Sequence, residues 1–281
     1  MGKIKEDSLG HRMKQYEGVP KNYLMLGCPK AIRLDMRAGH TFCRDFKRPF
    51  DDVFSTCMLQ ASKKLCEEIP GVVMAYTQSD EISLIINDVT KNGQINCFFD
   101  GNVEKIVSIS ASICSVEFNR KYDEILRNMP ASKDKEIYEK QAWKAHFDSR
   151  VWTLPNLMEV HNYILWRQQD ATRNSIQMVG HANFTDSELY KKNTSDIQDM
   201  LMLQKGINWN NFPVKYKRGA IILKEQYEKE VTLPNGEVIP NVKRNRWTEA
   251  EIPILTQDLS YIPKIFERYF LVNGELTKIE Y

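Results

Sequence analysis

The sequence predicts an α+β fold, a mostly antiparallel sheet with helices packed on it and a C-terminal helix and hairpin extension. Three observations predict it. The order strand, helix, hairpin, helix, strand runs through residues 1–150, and it suits helices on one face of a sheet. In "MAYTQSDEISLIIN", Met74 to Asn87, two apolar runs meet at Ser79-Asp80-Glu81, a connection short enough to make the strands antiparallel neighbours. The segments around this hairpin carry apolar residues at helical spacing.

Taken in order, the first strand lies around Ala31–Leu34 and leads into Asp35. Phe54, Cys57, Met58, Ala61 and Leu65 share one helical face, with Asp51 and Asp52 near the helix start and Pro70-Gly71 ending it, as the helix dipole and the stop signals require. The hairpin strands are Val72–Gln78 and Ile82–Asn87. "VEKIVSISASICSVEFNRKYDEIL" is a helix whose Ser and Ala residues allow close packing on a sheet. "NMPASKDKEIYEK" is a polar connection, and "AHFDSRVWTLP" is the next strand. The second half opens with the helix "NLMEVHNYILWRQQDATRNSIQMV". Capping boxes at Thr185–Glu188 and Ser195–Gln198 each start a helix. Two further strands meet at an Asn235-Gly236 turn. Residues 1–150 form the first half, and residues 151–281 complete the same compact unit.

At 281 residues, with 42% apolar and 27% charged residues, the chain has the composition of a globular protein with a sizeable core. A net charge of +2 permits a nucleic-acid partner without demanding one. The six cysteines form no C-x-x-C pair, which suits reduced thiols in the cytoplasm. The start "MGKIKEDSLGHRMK" has no apolar stretch of a secretory signal, Glu6 stands where a myristoylation site needs Ser or Thr, and no run reaches membrane-spanning length. His40, His146, His161 and His181 show no metal-ligand spacing with cysteine.

Asp80 and Glu81 pose the chemical question. Adjacent strand residues point to opposite faces, so at a hairpin tip one carboxylate can face a site while the other supports it. Burying carboxylates unpaired costs several kcal/mol, and a cation removes that cost. Mg²⁺ suits hard oxygen ligands, needing only one or two carboxylates beside water and substrate phosphates. Asp35, at the end of its strand, supplies the second carboxylate. Such a pair can hold two metals about 3.5–4 Å apart and clamp both oxygens of a phosphoryl transfer. A polymerase palm and a nucleotidyl cyclase both fit this reading.

The chain resembles the tRNA-His guanylyltransferase family, and most closely its "like" branch of template-dependent 3′-to-5′ RNA polymerases. The resemblance is carried, in family order, by "RMKQYE", "IRLDMRAGHTFCRDFKRPFDD", "AYTQSDEISLI", "FDSRVWTLP" and "YILWRQQDATRNSI". It implies a palm-like catalytic fold and a cytoplasmic enzyme, commonly a homotetramer, with tRNA and nucleoside triphosphates as partners. The implied chemistry activates a tRNA 5′-monophosphate with ATP. The 3′-hydroxyl of an incoming nucleotide such as GTP then attacks that end, with two Mg²⁺ ions per site.

By the same resemblance, Asp35 and Asp80 are metal-binding aspartates and Glu81 is the neighbouring essential acid. Met36, where the family has Gly, offers its backbone carbonyl to the metal. Ser79, Lys47, Arg48 and Asn174 contact the triphosphate. Arg167 and Arg173 lie with Trp166 on or near a predicted helix, a basic-aromatic face that suits RNA and equally suits ordinary packing of Trp166 with solvated arginines. Given the family, the basic clusters Lys215, Lys217, Arg218 and Lys243, Arg244, Arg246 contact tRNA phosphates. Segment Ala171–Gln177, "ATRNSIQ", departs from the His- and Asn-rich sequence of strict histidine-tRNA enzymes. The resemblance therefore favours template-directed repair of tRNA 5′ ends over addition of one G at position −1. A nucleotidyl cyclase is disfavoured by the missing G-G-D/E-E-F signature. A non-catalytic RNA-binding module is opposed by the retained Asp35, Asp80 and Glu81.

Overall fold

The apolar strands and amphipathic helices assemble as a layered sheet in a computed structural model that describes residues 9–90, 92–234, 236–267 and 269–279. In chain order the elements are α1 Leu9–Gly18, β1 Lys30–Met36, α2 Gly39–Phe42, α3 Asp52–Glu68, β2 Val72–Gln78 and β3 Glu81–Ile86. They continue with α4 Val103–Asn128, α5 Lys133–Glu139, β4 Phe147–Thr153, α6 Leu157–Asn183, α7 Asp186–Leu189 and α8 Thr194–Met200. The last are α9 Val214–Arg218, β5 Ala220–Thr232, β6 Val238–Glu251, α10 Tyr261–Phe266, β7 Tyr269–Val272 and β8 Glu275–Lys278.

The sheet order is β4-β1-β3-β2-β5-β7-β8, with β6 also on β5. All pairings are antiparallel except the single β5–β7 contact. The division at residue 150 falls inside β4, and β5 from the second half pairs with β2 from the first. One sheet thus runs through both halves.

Helices cover both faces, not the one expected. Every residue of β3 is buried, and a strand apolar on both sides needs cover on both. On one face Ile32, Leu34, Ile82 and Leu84 meet α3 and α4 through Met58, Leu65 and Phe118. On the other, Ala31, Met74, Tyr76 and Ile85 meet α6 and α10 through Tyr163, Ile164 and Ile262. A smaller cluster joins the far half of α6, Ile176 and Val179, to Ile197, Leu201 and Trp209.

Local signals hold in α3, where the Asp51 carboxylate caps the Phe54 amide at 2.8 Å. They hold again at α7, where Thr185 and Glu188 form the capping box. Two expectations are corrected. The polar connection after α4 contains α5, capped by Ser132 and anchored by the buried Tyr138. The next box opens two residues early, because the Asn193 side chain caps the Ser195 and Asp196 amides and Asp196 reciprocates. Asn235 of the expected Asn-Gly turn lies outside the described residues.

Candidate active site

The β2–β3 hairpin turns in two residues, since Gln78 pairs with Glu81. Ser79 takes φ 49°, and Thr77 Oγ1 donates to the Glu81 carbonyl at 3.0 Å. Asp80 stands in the turn and Glu81 begins β3, so the two carboxylates point to different sides. Asp80 lines a cavity, and its backbone carbonyl accepts from the Met36 amide at 3.1 Å. Glu81 points to α6, where Arg167 grips it with Nε and Nη2 at 2.7 and 2.8 Å.

Asp35 lies opposite Glu81 on β3 and opposite Asp148 on β4. Partial burial, then the Asp80 and Asp148 carboxylates, push the Asp35 carboxyl up from its ordinary value, and Arg33 and Arg150 only partly offset this. A cation beside Asp35 and Asp80 would relieve both effects. Gly39 adds a second sign of fit. A Cβ there would overlap the Asp80 carboxylate, with Cγ only 3.0 Å away, so the backbone is bare where Asp80 needs room. No group of three or more His, Cys, Asp or Glu side chains suited to a metal occurs among the described residues. Two carboxylates and a carbonyl are nonetheless a sufficient protein share for Mg²⁺. The Met36 carbonyl is available without glycine, because Met36 is a strand residue outside the positive-φ set and buries its side chain against the helices.

The cavity is about 750 Å³, a ligand-sized volume. Ser79, Asp80, Lys47, Arg48, Asn174 and Lys215 all line it. Asp35, Met36 and Glu81 stand outside its lining. His40, Arg44 and His181 add positive or titratable groups to the walls, while Phe54, Met58 and Leu59 make part of it apolar. The rings of Phe50 and Tyr216 stack at 4.6 Å on one side. Lys47 Nζ reaches Asp134 at 3.1 Å, and both side chains are mainly exposed, so the pair constrains Lys47 weakly.

The residues expected on an RNA path divide. Arg167 and Lys217 are buried, which corrects their assignment to an RNA-facing surface. Arg167 holds Glu81, and Lys217 Nζ donates to the Asn210 carbonyl at 2.6 Å. Burial, then neighbouring Arg218, push the Lys217 ammonium below its ordinary pKa. Arg218 is half-buried, and its carbonyl accepts from Tyr76. Arg173, Lys243, Arg244 and Arg246 are exposed. Arg173 pairs with Asp170, and Arg246 pairs with Glu225 at 2.5 Å.

Sequence reasoning missed Arg33, Gly39, Asp148, Arg150 and Asp170. Arg33 and Arg150 are register partners on β1 and β4, two residues along from Asp35 and Asp148. Strand alternation could have placed each pair on one face, but no local signal tells which strands adjoin. Asp170 was detectable from its helical spacing to Arg167 and Asn174.

A family profile described as tRNAHis guanylyltransferase matches residues 10–155. An uncharacterised protein of Acanthamoeba polyphaga mimivirus is 29% identical, covering 98% of this chain and 94% of that one. The tRNA(His) guanylyltransferase of Debaryomyces hansenii is 28% identical over 76% of this chain and 79% of its own. Among solved structures, a bacterial tRNA(His) guanylyltransferase-like protein in complex with ATP superimposes with TM-score 0.76 at 37% identity. It covers 92% of this chain and 99% of that one. The same kind of protein in complex with GTP gives TM-score 0.72 at 35% identity, with the same coverage.

Proposed function

The chain belongs to the tRNAHis guanylyltransferase family of nucleotidyltransferases, and from that premise we propose that it extends tRNA 5′ ends in the 3′-to-5′ direction under the direction of a template. The observation that carries the reading is the placement of Asp80, beside Asp35, at a basic cavity of about 750 Å³. An acidic pair beside a polyphosphate-sized basic pocket suits nucleotidyl transfer, in which positioning and charge neutralisation carry most of the rate.

In this reading Asp35, Asp80 and the Met36 carbonyl would hold Mg²⁺, which would supply neutralisation of phosphate charge. Lys47, Arg48, Ser79 and Asn174 hold the triphosphate of ATP or GTP in the cavity. In activation, a 5′-phosphate oxygen of the tRNA bonds to the α-phosphorus of ATP and pyrophosphate leaves. In addition, the 3′-hydroxyl of the incoming nucleotide loses its proton, bonds to the activated 5′ phosphorus and displaces AMP. Arg33 and Arg150, in register beside Asp35, are placed to steady the anionic 5′ end. The exposed Arg173, Lys243, Arg244 and Arg246 suit tRNA phosphates.

Templating rests on two supports. The segment Ala171–Gln177 departs from the histidine-enzyme pattern, and it contributes Ala171, Asn174, Ser175 and Gln177 to the cavity wall. The guanylyltransferase-like structures are also 37% and 35% identical to this chain. The test is a set of 5′-truncated tRNAs with varied anticodons and opposing bases, incubated with ATP, all four triphosphates and Mg²⁺. Addition should follow the opposing base and ignore the anticodon. A single G on histidine tRNA alone would restore the narrower guanylyltransferase reading. A homotetramer and a cytoplasmic location complete the proposal. Six free cysteines support that location, and no helix among the described residues is long and apolar enough to cross a membrane.

A further inference from the structure

A polar stripe runs along α6. Tyr163, Arg167, Asp170 and Asn174 fall at intervals of four, three and four residues, so they share one face. The Tyr163 hydroxyl shares a hydrogen bond with Ser83 at 2.7 Å. Arg167 comes next, with both Glu81 carboxylate oxygens in its fork. The same Nη2 donates to Asp170 Oδ2 at 3.0 Å. Asp170 also accepts from Arg173 and, at 3.3 Å, from Asn174 Nδ2. The stripe therefore starts in the sheet below the hairpin turn and ends at the cavity wall. Glu81 is covalently next to Asp80, and Asn174 faces the cavity that Asp80 lines.

Glu81 and Arg167 are both buried. With both oxygens of Glu81 engaged, the pair is a brace rather than a ligand set. A buried fork–fork pair is geometrically stiff, so a shift at one end is passed along it. Asp170 takes one amide hydrogen of Asn174. That fixes the amide plane and leaves the second hydrogen for an anionic oxygen in the cavity.

We infer that Arg167 and Asp170 are positioning residues that couple the Ser79-Asp80 turn to Asn174, so that one hydrogen-bonded chain sets both the carboxylate side and the nucleotide side of the site. The inference rests on the proposed nucleotidyl transfer. It adds that Glu81 acts on nucleotide binding without touching the nucleotide.

The test uses the full chain and three variants, Asp170→Asn, Asn174→Ala and Glu81→Gln, with the Asp170/Asn174 double variant. ATP binding is read by calorimetry with Ca²⁺ in place of Mg²⁺, beside thermal unfolding and addition to 5′-truncated tRNA. Asp170→Asn and Asn174→Ala should each weaken ATP about tenfold, the range of ordinary coupling between sites. The double variant should be no weaker than Asn174→Ala alone, because the two act as one unit. Glu81→Gln should weaken ATP severalfold although it lies outside the cavity lining. A purely structural role would lower the melting temperature and leave ATP affinity intact. Additive losses, or a Glu81→Gln variant that folds and binds ATP as the parent does, would overturn the coupling. A parent chain that binds no ATP would overturn it as well. Coupling in binding without lengthened RNA would sink the functional reading and leave this one standing.

Discussion

Replacing Gly39 with alanine separates activity from stability. Gly39 opens α2, and its φ lies outside the left-handed region. Alanine therefore fits the backbone, and at the first residue of a helix it gains only part of the roughly 1 kcal/mol by which it is favoured over glycine in a helix interior. The difficulty is on one side only. The three atoms nearest a Cβ at this position all belong to Asp80, with Cγ at 3.0 Å and Cβ at 3.1 Å and the carboxylate oxygen nearer still. Ordinary contact begins near 3.4 Å, so the carboxylate must turn away by several tenths of an ångström or more. A misplacement of about 1 Å at a reacting site costs about 10²-fold in rate. The expected result is an unchanged or slightly raised melting temperature with nucleotide addition down by that order. Manganese binding, followed by electron paramagnetic resonance, should weaken in parallel. A Gly39→Ala variant that folds and adds nucleotides within about threefold of the parent would refute the placement of Asp80 as a working carboxylate, since so large a loss is expected of a displaced reacting group.

Asp35→Ala and Asp80→Ala should each reduce nucleotide addition by at least about 10²-fold, with circular dichroism unchanged. A residual rate above about a tenth of the parent's would contradict a shared metal site, because removed electrostatic stabilisers rarely cost so little. Arg48→Ala should raise KM for the triphosphate while leaving tRNA affinity intact. Uniform loss of RNA affinity with unchanged nucleotide dependence would move Arg48 to the RNA path. His161 is buried, neither ring nitrogen has a hydrogen-bond partner, and burial holds its pKa below the ordinary value. The unfolded chain then binds the proton more readily. The contribution is complete above the unfolded value of about 6.5 and is lost as pH falls below it, by at most about 1.4 kcal/mol per pH unit. Denaturant titrations at stepped pH should show a shallower acid slope for His161→Phe than for the parent, and equal slopes would contradict this.

Much of the fold was legible because its signals are local. Alternation, the short Ser79-Asp80-Glu81 connection and the one-faced spacing of α3 placed β2, β3 and the helix before them within a residue or two. Where no local signal exists, reading failed. Helix α5 is short, and it is tied to the core by Tyr138, whose hydroxyl donates to Asp51 at 2.6 Å, with half-buried Ile137 packed beside it. The cap at Asn193 competes with an equally good pattern two residues on, and only the entry of α8 into its cluster decides between them.

By itself the sequence determined the antiparallel sheet, the hairpin that carries Asp80, and the carboxylate chemistry that makes Asp35 and Asp80 candidates. These follow from periodicity, turn length and the cost of burying charge, all properties of neighbouring residues. The tertiary structure alone decided that Glu81 turns from the cavity to Arg167, that Arg167 and Lys217 are buried, and that Gly39 makes room for Asp80. It also brought Arg33 and Arg150 beside the acidic pair. Each of these depends on which distant segments adjoin, and therefore on how both apolar faces of one sheet are covered at once.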